Sequence, residues 1–443
     1  MPLSVDEQSL RTTHNCEGWP GDVLFGVGKT IVMLVTNEGL NDPRVIRSRD
    51  TAHRAGFAVR LVCRTLPKEQ VKEKETDAAT SGTVAHRMPR FPGRGWLKRL
   101  LVWYSSWGKG APSFWLKPME LWILGGMIWF NLQAIRKMWR VCGDLYHAND
   151  LDTLPAAVVL SWKHRAPLVY DAHELFASQF AESSRLFQTI LFSFEHWLIR
   201  SAEKVVTVNC SIAETLAAWH QVPLPSVVMN CPLAATAPRP ASDAVGDFPA
   251  HKARVIFQGV YGRDRGLEEL ILSAAWYESA ELYLRGYGEL EPALRALVRE
   301  NGLEDRVRFL PPVHHAELVT SLGGFDVGVV PYRPTTANNR LCLPNKVFEY
   351  LQAGLALAVS ALPELTRLVE ETGTGGLFDP DRPEDIARAI NEMTGDAHRL
   401  TDLKDRARAA GARFTWEAQG APRLLACYQE LTGVPSRRQE GHY

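Results

Sequence analysis

The run 343–354 (LPNKVFEYLQAG) sets a cation and a carboxylate close together behind a proline. Pro344 suits the first turn of a helix, where a missing N–H costs nothing, and Gly354 suits a left-handed stop. Between them the chain is expected to form one helix. The free amides at its amino end, around Leu343, Asn345 and Lys346, together with the helix dipole, form a ready anion site. Glu349, one turn further in, offers an acceptor for hydroxyl groups. The combination suits a ligand that is both phosphorylated and hydroxylated.

A second run, 254–270 (RVIFQGVYGRDRGLEEL), reads as a strand, a glycine-bearing loop and the start of a helix. Gly259, Gly262 and Gly266 let backbone approach a ligand, while Arg263 and Arg265 present planar cationic forks to phosphate oxygens. Gly286 and Gly288 in 284–289 (LRGYGE) close another strand, and 302–310 (GLEDRVRFL) follows one helix later. Polar groups also stand directly after two apolar runs nearer the amino end. Asn149 and Asp150 follow 145–147, and Asp171, His173 and Glu174 follow 168–170. Run 26–30 (GVGKT) imitates the end of a phosphate-binding P-loop, but Val23 occupies the required glycine position and a strand follows where a helix is needed.

These groups need a scaffold that collects loops following strands. Apolar strand candidates recur at 31–35, 58–63, 145–147, 168–170, 205–208 and 227–229, then at 255–257, 282–284, 307–310, 327–330, 355–359 and 377–378, with helical segments between most of them. Such alternation predicts α/β architecture with parallel sheets covered on both faces. Residues 232–250 are rich in Pro and Ala and lack periodicity, as a linker does. The expected organisation is a tail over 1–28, one doubly wound domain over 29–231, the linker, a second over 251–414, and a final helical segment over 415–443. Two such domains leave a cleft between the carboxyl ends of their sheets, where open α/β folds bind ligands.

A chain of 443 residues, 46% hydrophobic and 23% charged, is globular, and its net charge of zero gives no global argument for nucleic acid. Seven scattered cysteines without a Cys-x-x-Cys spacing favour a reducing compartment and no structural zinc. The amino end lacks a basic-then-apolar signal, so a cytoplasmic location is expected. One stretch departs from this even balance. Between 86 and 140, ten Lys and Arg side chains face a single acid, Glu120, among seven tryptophans. Cations and indoles together favour the headgroup region of an anionic bilayer. Run 121–130 is too short to span, which leaves a peripheral contact at the inner face of the cell membrane or, equally, a core helix with an acceptor-binding lid.

The ordered series of these runs resembles the retaining glycosyltransferases of family 4, which have the GT-B fold of two Rossmann-like domains facing a cleft; the resemblance extends from residue 31 to about 431, weakest over 65–140. It implies transfer of a sugar from a nucleotide-sugar donor to a carbohydrate or lipid-linked acceptor, without metal or cofactor. Arg265 and Lys346 would stabilise the leaving diphosphate, Glu349 would hold the ribose, and His173 would lie beside the anomeric carbon. Run 37–47 (NEGLNDPRVIR) resembles the family's entry into its first helix, with Gly39 near the phosphates. The loop 311–315, with Val313, would border the nucleobase. Donor contacts are therefore expected from Gly39, Gly259, Arg263, Arg265, Gly286, Val313, Leu343, Pro344, Asn345, Lys346 and Glu349. Asn149, Asp150, Asp171 and Glu174 are acceptor-side candidates. Two departures stand out: Val260 replaces a common arginine, and Leu341 replaces the first of two glutamates in the donor element. A nucleotide-sugar 2-epimerase of the same fold, and a non-catalytic membrane scaffold that has kept a GT-B shell, are the alternatives.

Overall fold

The computed structural model describes residues 26–37, 42–65, 83–91, 116–180, 183–234, 252–314 and 317–433. Thirteen described strands form two wholly parallel sheets. The first comprises β1 (Thr30–Leu34), β2 (Ala58–Arg64), β3 (Val84–Met88), β4 (Leu145–Asn149), β5 (Leu168–Ala172), β6 (Lys204–Thr207) and β7 (Ser226–Val227), in the order β3-β2-β1-β4-β5-β6-β7. The second comprises β8 (Ala253–Val260), β9 (Ala280–Tyr287), β10 (Val307–Leu310), β11 (Val327–Val330), β12 (Ala356–Ser360) and β13 (Gly375–Phe378), in the order β10-β9-β8-β11-β12-β13. In each sheet the order reverses beside the first strand, so β1 pairs with both β2 and β4, and β8 with both β9 and β11. Those two switch points are where loops diverge and leave a crevice.

Helices cover both faces. On one side of the first sheet lie α2 (Pro118–Met138), α3 (Leu154–His164), α4 (Arg185–Leu198) and α5 (Cys210–His220); their inward residues Phe130, Leu160, Leu191 and Leu216 join Val32, Tyr146 and Tyr170 in one core. On the other side lie α1 (Pro43–Arg54) and α13 (Ala421–Thr432), packed on Ile31, Met33 and Leu145. The carboxyl-terminal helix thus returns to the first sheet. It is entered by a π-turn over Trp416–Gly420, and buried Trp416 donates its indole N–H to the Thr51 hydroxyl at 2.8 Å. A separate apolar core surrounds the second sheet.

Alternation of short apolar runs with helices therefore yields the expected α/β class. One strand was not expected, and another is shorter than expected. β3 lies at the start of the cation- and tryptophan-rich stretch, where polar His86 and Arg87 obscure its pattern; it is an edge strand and needs little apolar content. Run 227–229 yields only the two-residue β7, at the opposite edge. The rest of the tryptophan-rich stretch, 92–115, lies outside the described residues, as does Gly39. Gly28, at φ 82°, turns the chain directly into β1, which agrees with rejecting a P-loop there.

Candidate functional site

A cavity of about 630 Å³ opens in the cleft between the two sheets, lined from the first by His173, Glu174 and Asn230 and from the second by Arg263, Arg265, Lys346 and Glu349, among others. It lies at the carboxyl ends of β5 and β8 and at the amino end of α9 (Asn345–Ala353).

Helix α9 begins one residue later than expected. Pro344 is its N-cap, with an extended ψ of 141°, and Gly354 closes it in the left-handed region at φ 73°. Leu343, Pro344, Asn345 and Lys346 all line the cavity, so the helix directs its positive end at any ligand there. Lys346 lies over the rings of Phe257 (4.1 Å) and Tyr332 (4.8 Å). Burial, reinforced by the neighbouring Arg265, lowers its ammonium to about 7. Gly259, at φ 145°, gives it room, because a Cβ there would lie 2.9 Å from the Lys346 Nζ. Arg265 stacks on Tyr332 at 4.1 Å. Glu349 accepts from Gln258 Nε2 at 3.4 Å, and burial raises its carboxyl although Lys346 opposes the shift.

The opposite wall is built on β5. Asp150, itself in the left-handed region at φ 62°, accepts from the His173 backbone N–H at 3.0 Å and approaches the His173 Nδ1 at 3.1 Å. Asp171 Oδ2 lies 3.6 Å from His173 Nε2. Burial opposes charge on His173, but the two carboxylates outweigh it and push the imidazole well above its ordinary value. The two carboxylates therefore favour the protonated, hydrogen-bond-donating form of His173. Glu174 accepts from Asn338 Nδ2 across the cleft at 2.5 Å.

Of the expected donor residues, Gly259, Arg263, Arg265, Leu343, Pro344, Asn345, Lys346 and Glu349 line one cavity, whereas Gly286 and Val313 do not. Gly286 serves strand packing: a Cβ there would sit 1.8 Å from the Gly259 carbonyl oxygen. Two acceptor-side expectations are corrected. Asp171 is 0% exposed and holds Arg44, while Asn149 is 2% exposed and donates to the Leu34 carbonyl at 2.9 Å, so neither can meet a ligand directly. Asp150 acts on His173, and only Glu174 of that set lines the cavity.

Sequence reading missed Asn230, Gln258 and Asn338, all in the cavity wall. It also missed Asp152, which accepts from the Thr36 hydroxyl and which burial and Asp150 raise to about 7. A polar residue just after a strand would have flagged Asn230; nothing local distinguishes Asn338. Among the described residues, no three His, Cys, Asp or Glu side chains converge as a metal-ligand set.

Comparison with known proteins bears on the family and the fold. A model described as "Glycosyl transferase 4-like domain" matches residues 49–232, and one described as "Glycosyl transferases group 1" matches 254–396. A D-inositol 3-phosphate glycosyltransferase of Thermobispora bispora is 27% identical over 285 residues, 60% of this chain and 65% of that protein. One from Corynebacterium urealyticum is 28% identical over 147 residues, 33% of each chain. The matches thus span less than two thirds of these relatives. Among solved structures, sucrose-phosphate synthase of Thermosynechococcus elongatus superposes with TM-score 0.67 at 17% identity, over 92% of this chain and 100% of that one. Anabaena HepE in complex with UDP gives 0.61 at 14%, with the same coverage. These likenesses are of fold. With one glycosyltransferase domain model on each of its two facing sheets, the chain belongs to the GT4-like proteins of the GT-B glycosyltransferase fold.

Proposed function

We propose that the protein is a retaining glycosyltransferase that moves a hexosyl group from a nucleotide-sugar to an acceptor hydroxyl, with no metal ion in the reaction. The observation that carries this reading is the convergence of Arg265, Lys346 and the amino end of α9 on one wall of the cavity, with His173 on the other. Fixed positive charge and backbone amides placed where a diphosphate leaves stabilise the charge that develops as the glycosidic bond breaks. Glu349, deeper along the same helix, suits the ribose hydroxyls. His173, held by two carboxylates, donates to the reacting sugar. The reading takes a front-face path, in which the leaving phosphate accepts the proton of the acceptor hydroxyl.

UDP and UDP-glucose are the ligands named for the Anabaena HepE structures, which makes UDP-sugars the first donors to screen here. Thermal stabilisation by UDP-, GDP- and ADP-sugars, followed by NMR of the product's anomeric configuration, tests the reading. An inverted product, or activity abolished by chelation and restored only by magnesium or manganese, defeats it. Conversion of a donor with no acceptor present would instead identify a 2-epimerase.

A second element of the reading is peripheral contact with an anionic membrane, through which a lipid-linked or polysaccharide precursor would be met. No described helix is long and apolar enough to cross a membrane. Yet α2 exposes Leu121, Ile128 and Leu132 along one stripe, and on the same side of the first sheet Trp162 is 81% and Trp197 79% exposed. Exposed cations Arg136, Lys137, Lys163, Arg165 and Arg200 accompany them. Apolar side chains ringed by Lys and Arg suit an anionic interface.

A further inference from the structure

The segment before α9 belongs by sequence to the second domain but is docked on the first. Ala337 and Leu341, one turn apart on the short helix α8 (Ala337–Leu341), pack against the core under the helices of the first sheet. The α8 segment is also hydrogen-bonded there, since Asn209 Nδ2 donates to the Leu341 carbonyl at 2.9 Å. Leu341 is therefore an apolar anchor between domains.

That docking seats Asn338, only 6% exposed, in the cavity wall. Its Oδ1 accepts from the Leu175 backbone N–H at 3.0 Å and its Nδ2 donates to Glu174 Oε2 at 2.5 Å. Among the described residues, the other Glu174 oxygen and the second Asn338 N–H have no protein partner. Both groups lie in the wall of the cavity. A carboxylate oxygen beside an amide N–H is matched to a pair of neighbouring hydroxyls, one donating and one accepting. Arg265 and Lys346 in the same cavity suit the diphosphate, which leaves the uncharged, hydroxylated part of the donor to meet His173 and this pair.

We propose that Glu174 and Asn338, one from each domain, form the element that recognises hydroxyls of the donor sugar. This rests on the nucleotide-sugar reading above. A buried hydrogen-bonding pair of this kind rejects a sugar that lacks the matching hydroxyl, because its own polar groups are then left unsatisfied.

Calorimetric titration of wild type, Glu174→Ala and Asn338→Ala with a free nucleoside diphosphate and with the matching nucleotide-sugar tests the assignment. Each variant should bind the nucleotide-sugar about 10- to 100-fold more weakly and the nucleoside diphosphate within about twofold of wild type. Among singly deoxygenated donors, at least one should bind the wild type and Glu174→Ala alike. Equal losses for both ligands would mean that the pair only holds the cleft together, and no loss for either would mean that it is idle; each result overturns the assignment. Failure of wild type to bind any of UDP, GDP or ADP would instead defeat the nucleotide-sugar reading itself, and this inference with it.

Discussion

Arg44 and Asp171 form a buried two-pronged ion pair, Nε to Oδ2 at 2.9 Å and Nη2 to Oδ1 at 2.7 Å, between the first turn of α1 and the end of β5. The same Asp171 carboxylate faces His147 Nε2 at 3.4 Å and His173 Nε2 at 3.6 Å. His147 in turn meets the Tyr428 hydroxyl of α13 at 2.7 Å. One buried carboxylate therefore ties the first helix and the last helix to the imidazole in the cavity wall. Burial opposes its charge, but Arg44 holds it well below the usual carboxylate range.

Arg44→Met leaves that carboxylate buried without its main partner, and should cost about 3–5 kcal/mol. Urea unfolding followed by tryptophan fluorescence measures it. The double variant Arg44→Met with Asp171→Asn should recover much of the loss, since no lone charge remains. A single variant as stable as wild type would mean that water reaches Asp171.

Lys346, held near 7 by burial and Arg265, is largely neutral in the empty site at alkaline pH, and a bound diphosphate favours its charged form. Donor binding should therefore take up close to one proton near pH 8, and affinity should fall as pH rises above about 7. Titration calorimetry in buffers of different ionisation enthalpy reads the uptake directly. Lys346→Met should abolish it. Unchanged proton uptake in that variant would move the effect to another group.

Arg265 and Glu349 are set against ligand groups that behave differently during the reaction. Arg265 faces a diphosphate that gains charge as the bond breaks, so Arg265→Ala should lower kcat by more than it weakens donor binding. Glu349 meets hydroxyls that do not change, so Glu349→Ala should mainly raise the donor KM, by about 1.5–3 kcal/mol expressed as free energy. If both variants fold and leave donor kinetics untouched, the donor does not bind to the second domain.

Membrane contact predicts that Arg136→Gln with Lys137→Gln weakens binding to anionic vesicles by about 1 kcal/mol for each residue at the surface. Trp162→Ser with Trp197→Ser should weaken it further and should do so even at high salt, because indole insertion is not screened. Cosedimentation with phosphatidylserine vesicles provides the measurement. A wild type that stays in the supernatant leaves the exposed stripe on α2 to a protein partner.

The α/β class and many of the residues that line the cavity were legible in the sequence because their signals are local. Parallel strands buried on both faces give short apolar runs whatever their order, and the residues after each strand end on the cleft side. Lys346 and Glu349 could be placed from Pro344 and Gly354 alone, since the conformational limits of proline and glycine act within one turn. What each polar residue faces was decided only by the tertiary structure. Asp171 looked like a ligand group because it follows a strand, but Arg44, 127 positions earlier, consumes it. Asn338 carried no signal, because its partner Glu174 lies 164 positions away on the other domain. Leu341 read as a gap in a polar site and is instead an anchor in the other domain's core. Propensity and periodicity encode backbone preference and burial along the chain; the pairing of groups brought together by sheet order and domain closure depends on topology, which no local pattern records.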